Sequence, residues 1–241
     1  LGPYEPGEWS DDTQMAICVA RVAATGADLS GIQALNAIAA AFHDWADTGA
    51  TDIGVSTRAV LDEAWRSPAL PGMACREAAE AFQARTQRGA GNGALMRTSV
   101  VGLTRLDDRQ VTARAARTVA QLTHADPRAA EACVLWSEAV RVAVVEGRFD
   151  LAGGLDLLPD ARRATWEGVL ETAERGNTEE LTPNGFIVTA LESAWWAITS
   201  TDDGTGGCDH VERALQVAIS LGDDTDTVAA VAGGLLGARY G

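Results

Sequence analysis

The chain has 241 residues, 46% of them apolar, and a formal net charge of −15. The length and apolar share allow one sizeable core. The acidity, with a sequence pI of about 4.5, argues against a nucleic-acid face, which must replace counterions with basic side chains. A small anionic ligand remains compatible with it where helix N-termini or metal ions neutralise the charge locally.

Alanine, leucine, glutamate and arginine are frequent, and these are strong helix formers. Sustained period-two alternation is absent, as is an Asn-Gly hairpin between apolar runs. The expected fold is all-α: a compact, single-domain orthogonal helical bundle over residues 1–241.

Residues 1–9 are rich in proline and glycine and predict a loop. A helix with a mostly apolar wall follows Ser10 and ends near Gly26. Ser30 to Ala46 is the next helical pattern, with Ile32, Leu35, Ile38, Ala39 and Phe42 on one face. Residues 44–54 read as a loop, and Ser56 as the cap of a helix from Arg58 to Trp65. Pro68 and Pro71 interrupt the chain before a helix from Ala74 to Arg85. The stretch 87–97 holds three glycines in five residues, at Gly89, Gly91 and Gly93, and needs backbone freedom. It is expected to enter a helix through Met96 and Val100. Asp107 to Leu122 and Pro127 to Val145 are the next two helices. Glycines near 147–154 and Pro159 mark a mobile region, and 160–174 an amphipathic surface helix. Asn184 to Thr199 and Asp209 to Leu221 precede the last helix, from Val228 to Tyr240. That helix is apolar or small on nearly every face and is expected to be buried.

Two acidic mouths open buried helices at opposite ends of the chain. Ser10, Asp11 and Asp12 precede the first, and Asp223, Asp224, Asp226 and Thr227 precede the last. One carboxylate near a helix N-terminus is a cap. Several crowded together repel one another unless a cation sits among them. If the helices pack side by side, Asp11, Asp12, Asp224 and Asp226 bring four charges together, which two divalent cations would neutralise. Carboxylate and hydroxyl oxygens suit Mg²⁺, Mn²⁺ or Ca²⁺. His43, His124 and His210 show no zinc-ligand spacing.

The glycine loop matches neither a dinucleotide fingerprint nor a P-loop. On its own it reads as a tight turn, and as a place where backbone could approach a ligand. His124 alone reads as a capping or packing residue, Trp195 and Trp196 as core, and Met15 and Met96 likewise. Cys18, Cys75, Cys133 and Cys208 are far apart and are expected to be buried thiols in a reducing compartment. With no signal-peptide pattern and no membrane-length apolar run, a cytoplasmic protein without membrane contact is expected.

These motifs, in this order, resemble the ADP-ribosylglycohydrolase family. The matching pieces are residues 7–16 (Gly-Glu-Trp-Ser-Asp-Asp-Thr-Gln-Met-Ala), 91–97 (Gly-Asn-Gly-Ala-Leu-Met-Arg), 122–124 (Leu-Thr-His) and 222–227 (Gly-Asp-Asp-Thr-Asp-Thr). The resemblance implies a helical fold with a binuclear Mg²⁺ or Mn²⁺ centre at the bottom of a cleft. It implies metal binding by Ser10, Asp11, Asp12, Asp224, Asp226 and Thr227, with Asp11 and Asp12 as the catalytic pair. It also implies substrate contacts from Gly89, Ala90, Gly91, Asn92, Gly93, Met96 and His124. Ser10 stands where the family usually has threonine, and Ala90 where some relatives have an aromatic ring. The family's opening glycine-rich helix, with its metal-reaching acidic residue, and the family's C-terminal end are expected to lie outside this stretch.

The implied activity is hydrolysis of the N- or O-glycosidic bond joining ADP-ribose to an acceptor such as protein arginine. The substrate would be an ADP-ribosylated protein or small molecule, and the chain is expected to act as a monomer. A second reading keeps fold and pocket but not turnover: an ADP-ribose-binding or immunity-type module. A third, a structural protein whose aspartates only cap helices, predicts no Mg²⁺-dependent rise in melting temperature.

Overall fold

Helix-capping chemistry written in the sequence sets a few of the element boundaries. In the computed structural model, residues 3–176 and 178–241 are described, without the side chain of Thr178. They form eleven α-helices and, among the described residues, no sheet: α1 Asp11–Ala23, α2 Ile32–Asp47, α3 Val55–Ala64, α4 Pro71–Thr86, α5 Ser99–Gly102, α6 Arg109–Ala120, α7 Pro127–Glu146, α8 Asp160–Arg175, α9 Ile187–Thr199, α10 Gly207–Ser220 and α11 Thr225–Tyr240. The Asp108 side chain accepts from the N–H groups of Gln110 and Val111, starting α6. Asp126 accepts from the Arg128 N–H, and Pro127 fills the first position of α7. Gly147, at φ +64°, ends α7 in a left-handed turn.

The 20-residue α7 is the central post. It is buried on nearly all faces from Ala129 to Ala143, and its buried carboxylates, Glu131 and Glu138, are held by arginines. Helices α5, α6, α9 and α11 pack around it. At Gly102 a β-carbon would stand 2.6 Å from the Ser137 carbonyl oxygen, so only glycine lets α5 approach so closely. Helix α11 packs on α7, α9 and α10, and also touches α1. That last contact brings the two ends of the chain together. Arg162 grips Glu131 through three hydrogen bonds of 3.0–3.1 Å, and the Trp166 ring N–H donates to the same carboxylate. This ties α8 to α7.

Several expectations change. Ile32 is 66% exposed; the buried face of α2 is Ala34, Leu35, Ile38, Ala39 and Phe42, because Ile32 sits in the first turn. Ser56 lies inside the first turn of α3, whose N-cap is Gly54. Met96 and Val100 do not lie in one long helix. A 3₁₀ turn at Asn92–Ala94 precedes the four-residue α5, because Arg97 turns inward and uses its fork on backbone carbonyls. Helix α11 buries Thr227, Val228, Val231, Ala232, Leu235 and Leu236, while Ala229, Ala230, Gly233, Gly234 and Ala238 are half-buried and Gly237 is exposed. Cys18, Cys75 and Cys133 are buried thiols, but Cys208 is exposed at the start of α10. Trp195 is buried and Trp196 half-buried. Among the described residues no helix is long and apolar enough to cross a membrane.

Candidate active site

The N-termini of α1 and α11 meet at one wall of a cleft of about 960 Å³. Oxygens of Asp11, Asp12 and Asp226 come within 4.8 Å of one another, although 215 positions separate Asp11 from Asp226. Asp12 is fully buried and Asp226 exposed. Ser10 stands at the N-cap of α1 but does not cap it; its hydroxyl donates 2.6 Å to Asp12 Oδ2. Asp12 Oδ1 is buried with no hydrogen-bond partner. Burial pushes the Asp12 carboxyl up to about 6, aided by the charges of Asp11 and Asp226 and opposed by the hydrogen bond from Ser10. Burial also raises Asp11, while its bond from Tyr4 works the other way. The Tyr4 hydroxyl donates 2.9 Å to Asp11 Oδ1 and accepts from the Asp11 N–H.

Asp224 is held differently. Asn92 Nδ2 donates 2.7 Å to Asp224 Oδ2 and 3.0 Å to the Asn184 carbonyl. The Asp224 N–H donates to Asn184 Oδ1, and Asn184 Nδ2 to the Gly222 carbonyl. Asn184 is fully buried and so pins the acidic turn of α11 to the glycine loop. A short antiparallel bridge between Gly91 and Phe186 continues the seam. Burial raises the Asp224 carboxyl, helped by Asp226 and opposed by the Asn92 bond.

A second wall of the cleft, joined to the acidic one through Asn92, is made by Gly91, Asn92, Gly93, Met96 and His124. A β-carbon on Gly93 would stand 3.2 Å from His124 Cε1 and 3.3 Å from Thr57 Oγ1, so glycine keeps this wall open. His124 is buried, and burial with the Arg97 charge lowers it to about 3, leaving a neutral ring. Gly89 and Ala90 stand behind this wall. The Gly89 N–H donates 2.6 Å to Gln83 Oε1, whose amide donates on to Asp126, and the Ala90 carbonyl accepts from Ile187.

Sequence reasoning missed Tyr4, Asp52, Thr57 and Asn184, three of which line the cleft, with Asn184 behind it, and it named Asp223 in the acidic mouth without giving it a role. Asp223, at φ +57°, had a readable sign, a Gly-Asp-Asp turn before the helix. Tyr4 and Asn184 had none, because their contacts cross the chain.

The donor set fits hard divalent cations. It consists of carboxylate and hydroxyl oxygens, one buried Asp12 oxygen lacks any partner, and the α1 and α11 termini alone would not need so many carboxylates.

The ADP-ribosylglycohydrolase family model matches residues 1–241. The chain belongs to that family. It is similar to the ADP-ribosylarginine hydrolase Tri1 of Serratia proteamaculans, at 26% identity over 245 residues, covering 100% of this chain and 62% of that protein. The Tri1 protein of Pseudomonas putida is 25% identical over 252 residues, covering 100% and 61%. The chain thus spans less than two thirds of the length of these relatives. Among solved structures it is similar to one titled an ADP-ribosylglycohydrolase-related protein complex. The TM-score is 0.65 and the identity 26%, covering 98% of this chain and 72% of the other.

Proposed function

We propose that the chain hydrolyses the glycosidic bond joining ADP-ribose to an acceptor, with arginine as the acceptor. The observation that carries this reading is that one cleft is lined by Asp11, Asp224, Asp226 and Thr227, with Asp12 buried beside them, and also by the glycine loop and His124. Ligand clefts of roughly 300–1,000 Å³ suit molecules of this class. Both Tri1 relatives carry arginine in their names, and Glu5, Glu8 and Asp52 along the cleft are suited to a guanidinium.

Ser10, Asp11, Asp12, Asp224, Asp226 and Thr227 would hold two Mg²⁺, with Mn²⁺ as the alternative. Bound there, the ions supply charge neutralisation and help ionise a water. Asp11 and Asp12 orient that water and take its proton. The water oxygen bonds to C1″ of the ribose as the C1″–N bond breaks through an oxocarbenium-like state. The proton passes to the departing guanidine. Gly91, Asn92, Gly93, Met96 and His124 position the ADP-ribosyl group, with Gly89 and Ala90 setting the loop's course. Tyr4 keeps Asp11 turned toward the cleft.

The test is Asp226→Asn. Mg²⁺-dependent release of ADP-ribose from ADP-ribosyl-arginine should be abolished while the fold survives; unchanged turnover would refute the mechanism. A parent protein that binds ADP-ribose tightly by calorimetry without hydrolysing the substrate would instead be the non-catalytic binding module.

A further inference from the structure

Arg97 is fully buried, and it meets no carboxylate among the described residues. Its Nη1 donates 2.9 Å to the Gly93 carbonyl, and its Nη2 donates 3.2 Å to the Val119 carbonyl and 2.7 Å to Thr123 Oγ1. The guanidinium lies 4.6 Å over the Phe42 ring. Burial lowers Arg97 to about 10, which leaves it charged at neutral pH.

An arginine only donates, so Thr123 Oγ1 must accept from it. The threonine proton then needs an acceptor of its own. His124 Nδ1, at 2.8 Å, is the one that the described residues provide, and Thr123 is 1% exposed. Nδ1 therefore accepts, and the single proton of the neutral ring sits on Nε2. The opposite tautomer would aim two donors at one hydroxyl and strand its proton in the interior. The Nε2 edge is the one turned to the glycine loop: β-carbons on Gly91 and Gly93 would stand 3.4 and 3.5 Å from it.

We propose that Arg97 and Thr123 are positioning residues that fix His124 as a neutral Nε2–H donor, aimed at an acceptor oxygen of the ligand in the cleft. His124 then donates a hydrogen bond and transfers no proton. The glycines opposite it leave room for an oxygen, and a ligand presenting an N–H at that point meets a donor and is disfavoured. The ligand's place in the cleft rests on the proposed function; the tautomer does not.

Long-range ¹H–¹⁵N correlation spectra of the ¹⁵N-labelled protein without ligand report the tautomer directly. The expected result is the Nε2–H form, unchanged from about pH 8 to about pH 5. T123V should lose it, moving His124 to a mixture or to the Nδ1–H form, and should weaken ADP-ribose binding about tenfold by calorimetry. T123S should restore both. An Nδ1–H or charged His124 in the parent protein overturns the proposal, as does a pure Nε2–H signal in T123V. If T123V does not fold, the parent spectrum decides by itself. The expected tautomer in a protein that binds no ADP-ribose would sustain the relay and refute the functional reading.

Discussion

The two walls of the cleft are built on opposite principles. The acidic wall gathers like charges and leaves them short of partners: Asp12 Oδ1 is buried and unpaired, and burial raises Asp11, Asp12 and Asp224. The glycine wall is completed from within, by the Arg97, Thr123 and His124 chain on one flank and by Asn92 and Asn184 on the other. A surface satisfied by its own side chains is ready for a neutral or anionic group. A surface of crowded carboxylates is finished only by something positive. The comparison teaches which wall calls for cations and which for the organic part of the ligand.

The largest effect should come from Asp12→Asn. Turnover of ADP-ribosyl-arginine should fall at least about a hundredfold, and the Mg²⁺-dependent rise in melting temperature should vanish. Without metal the same variant should be more stable than the parent at pH 7, by about 1–3 kcal/mol. The sign follows from a carboxyl held up near 6 against an ordinary 3.8. Its ionisation costs the fold above that pH, and the gain should fade as pH falls from about 6 towards 3.8. A variant less stable than the parent at pH 7 would mean that the acidic wall is already satisfied.

Gly93→Ala tests the other wall. Its methyl must press on His124 and Thr57, so ADP-ribose affinity should drop roughly tenfold in calorimetry while melting temperature changes little. Asn184→Ala tests the seam between the walls. Losing its bonds to Asp224 and Gly222 should cost about 1–3 kcal/mol in denaturant unfolding, with weaker Mg²⁺ stabilisation.

The last test concerns pH. A histidine lowered from 6.5 to about 3 gives stability that is complete above 6.5 and is lost as pH falls towards 3. His124→Gln should remove up to about 1.4 kcal/mol per pH unit of that slope, measured as the difference between parent and variant unfolding curves. Equal slopes would show that His124 is not held neutral.

Much of the fold was legible because its signals are local. Pro127 beside Asp126 and the 3.6-residue spacing of Leu35, Ile38, Ala39 and Phe42 act within a turn or two of where they are written, whereas the glycine at 147, read as the start of a mobile region, caps α7. The two acidic mouths were legible for the same reason, each being a local oddity at the start of a buried helix. Their meeting depended on long-range packing, α1 against α11, that no local pattern encodes. Arg97 shows the limit most clearly. In sequence it only ends a glycine loop, yet it is the buried donor that holds the Gly93 carbonyl and Thr123. Ile32 failed in the opposite sense: it fits the apolar spacing, but a first-turn position lies beyond the edge of the core.

The most direct measurement is anomalous scattering from crystals grown with Mn²⁺. The account predicts peaks in contact with the carboxylates of both Asp12 and Asp226. Crystals at a Mn²⁺ concentration that supports turnover, yet with no peak between those two residues, would contradict it.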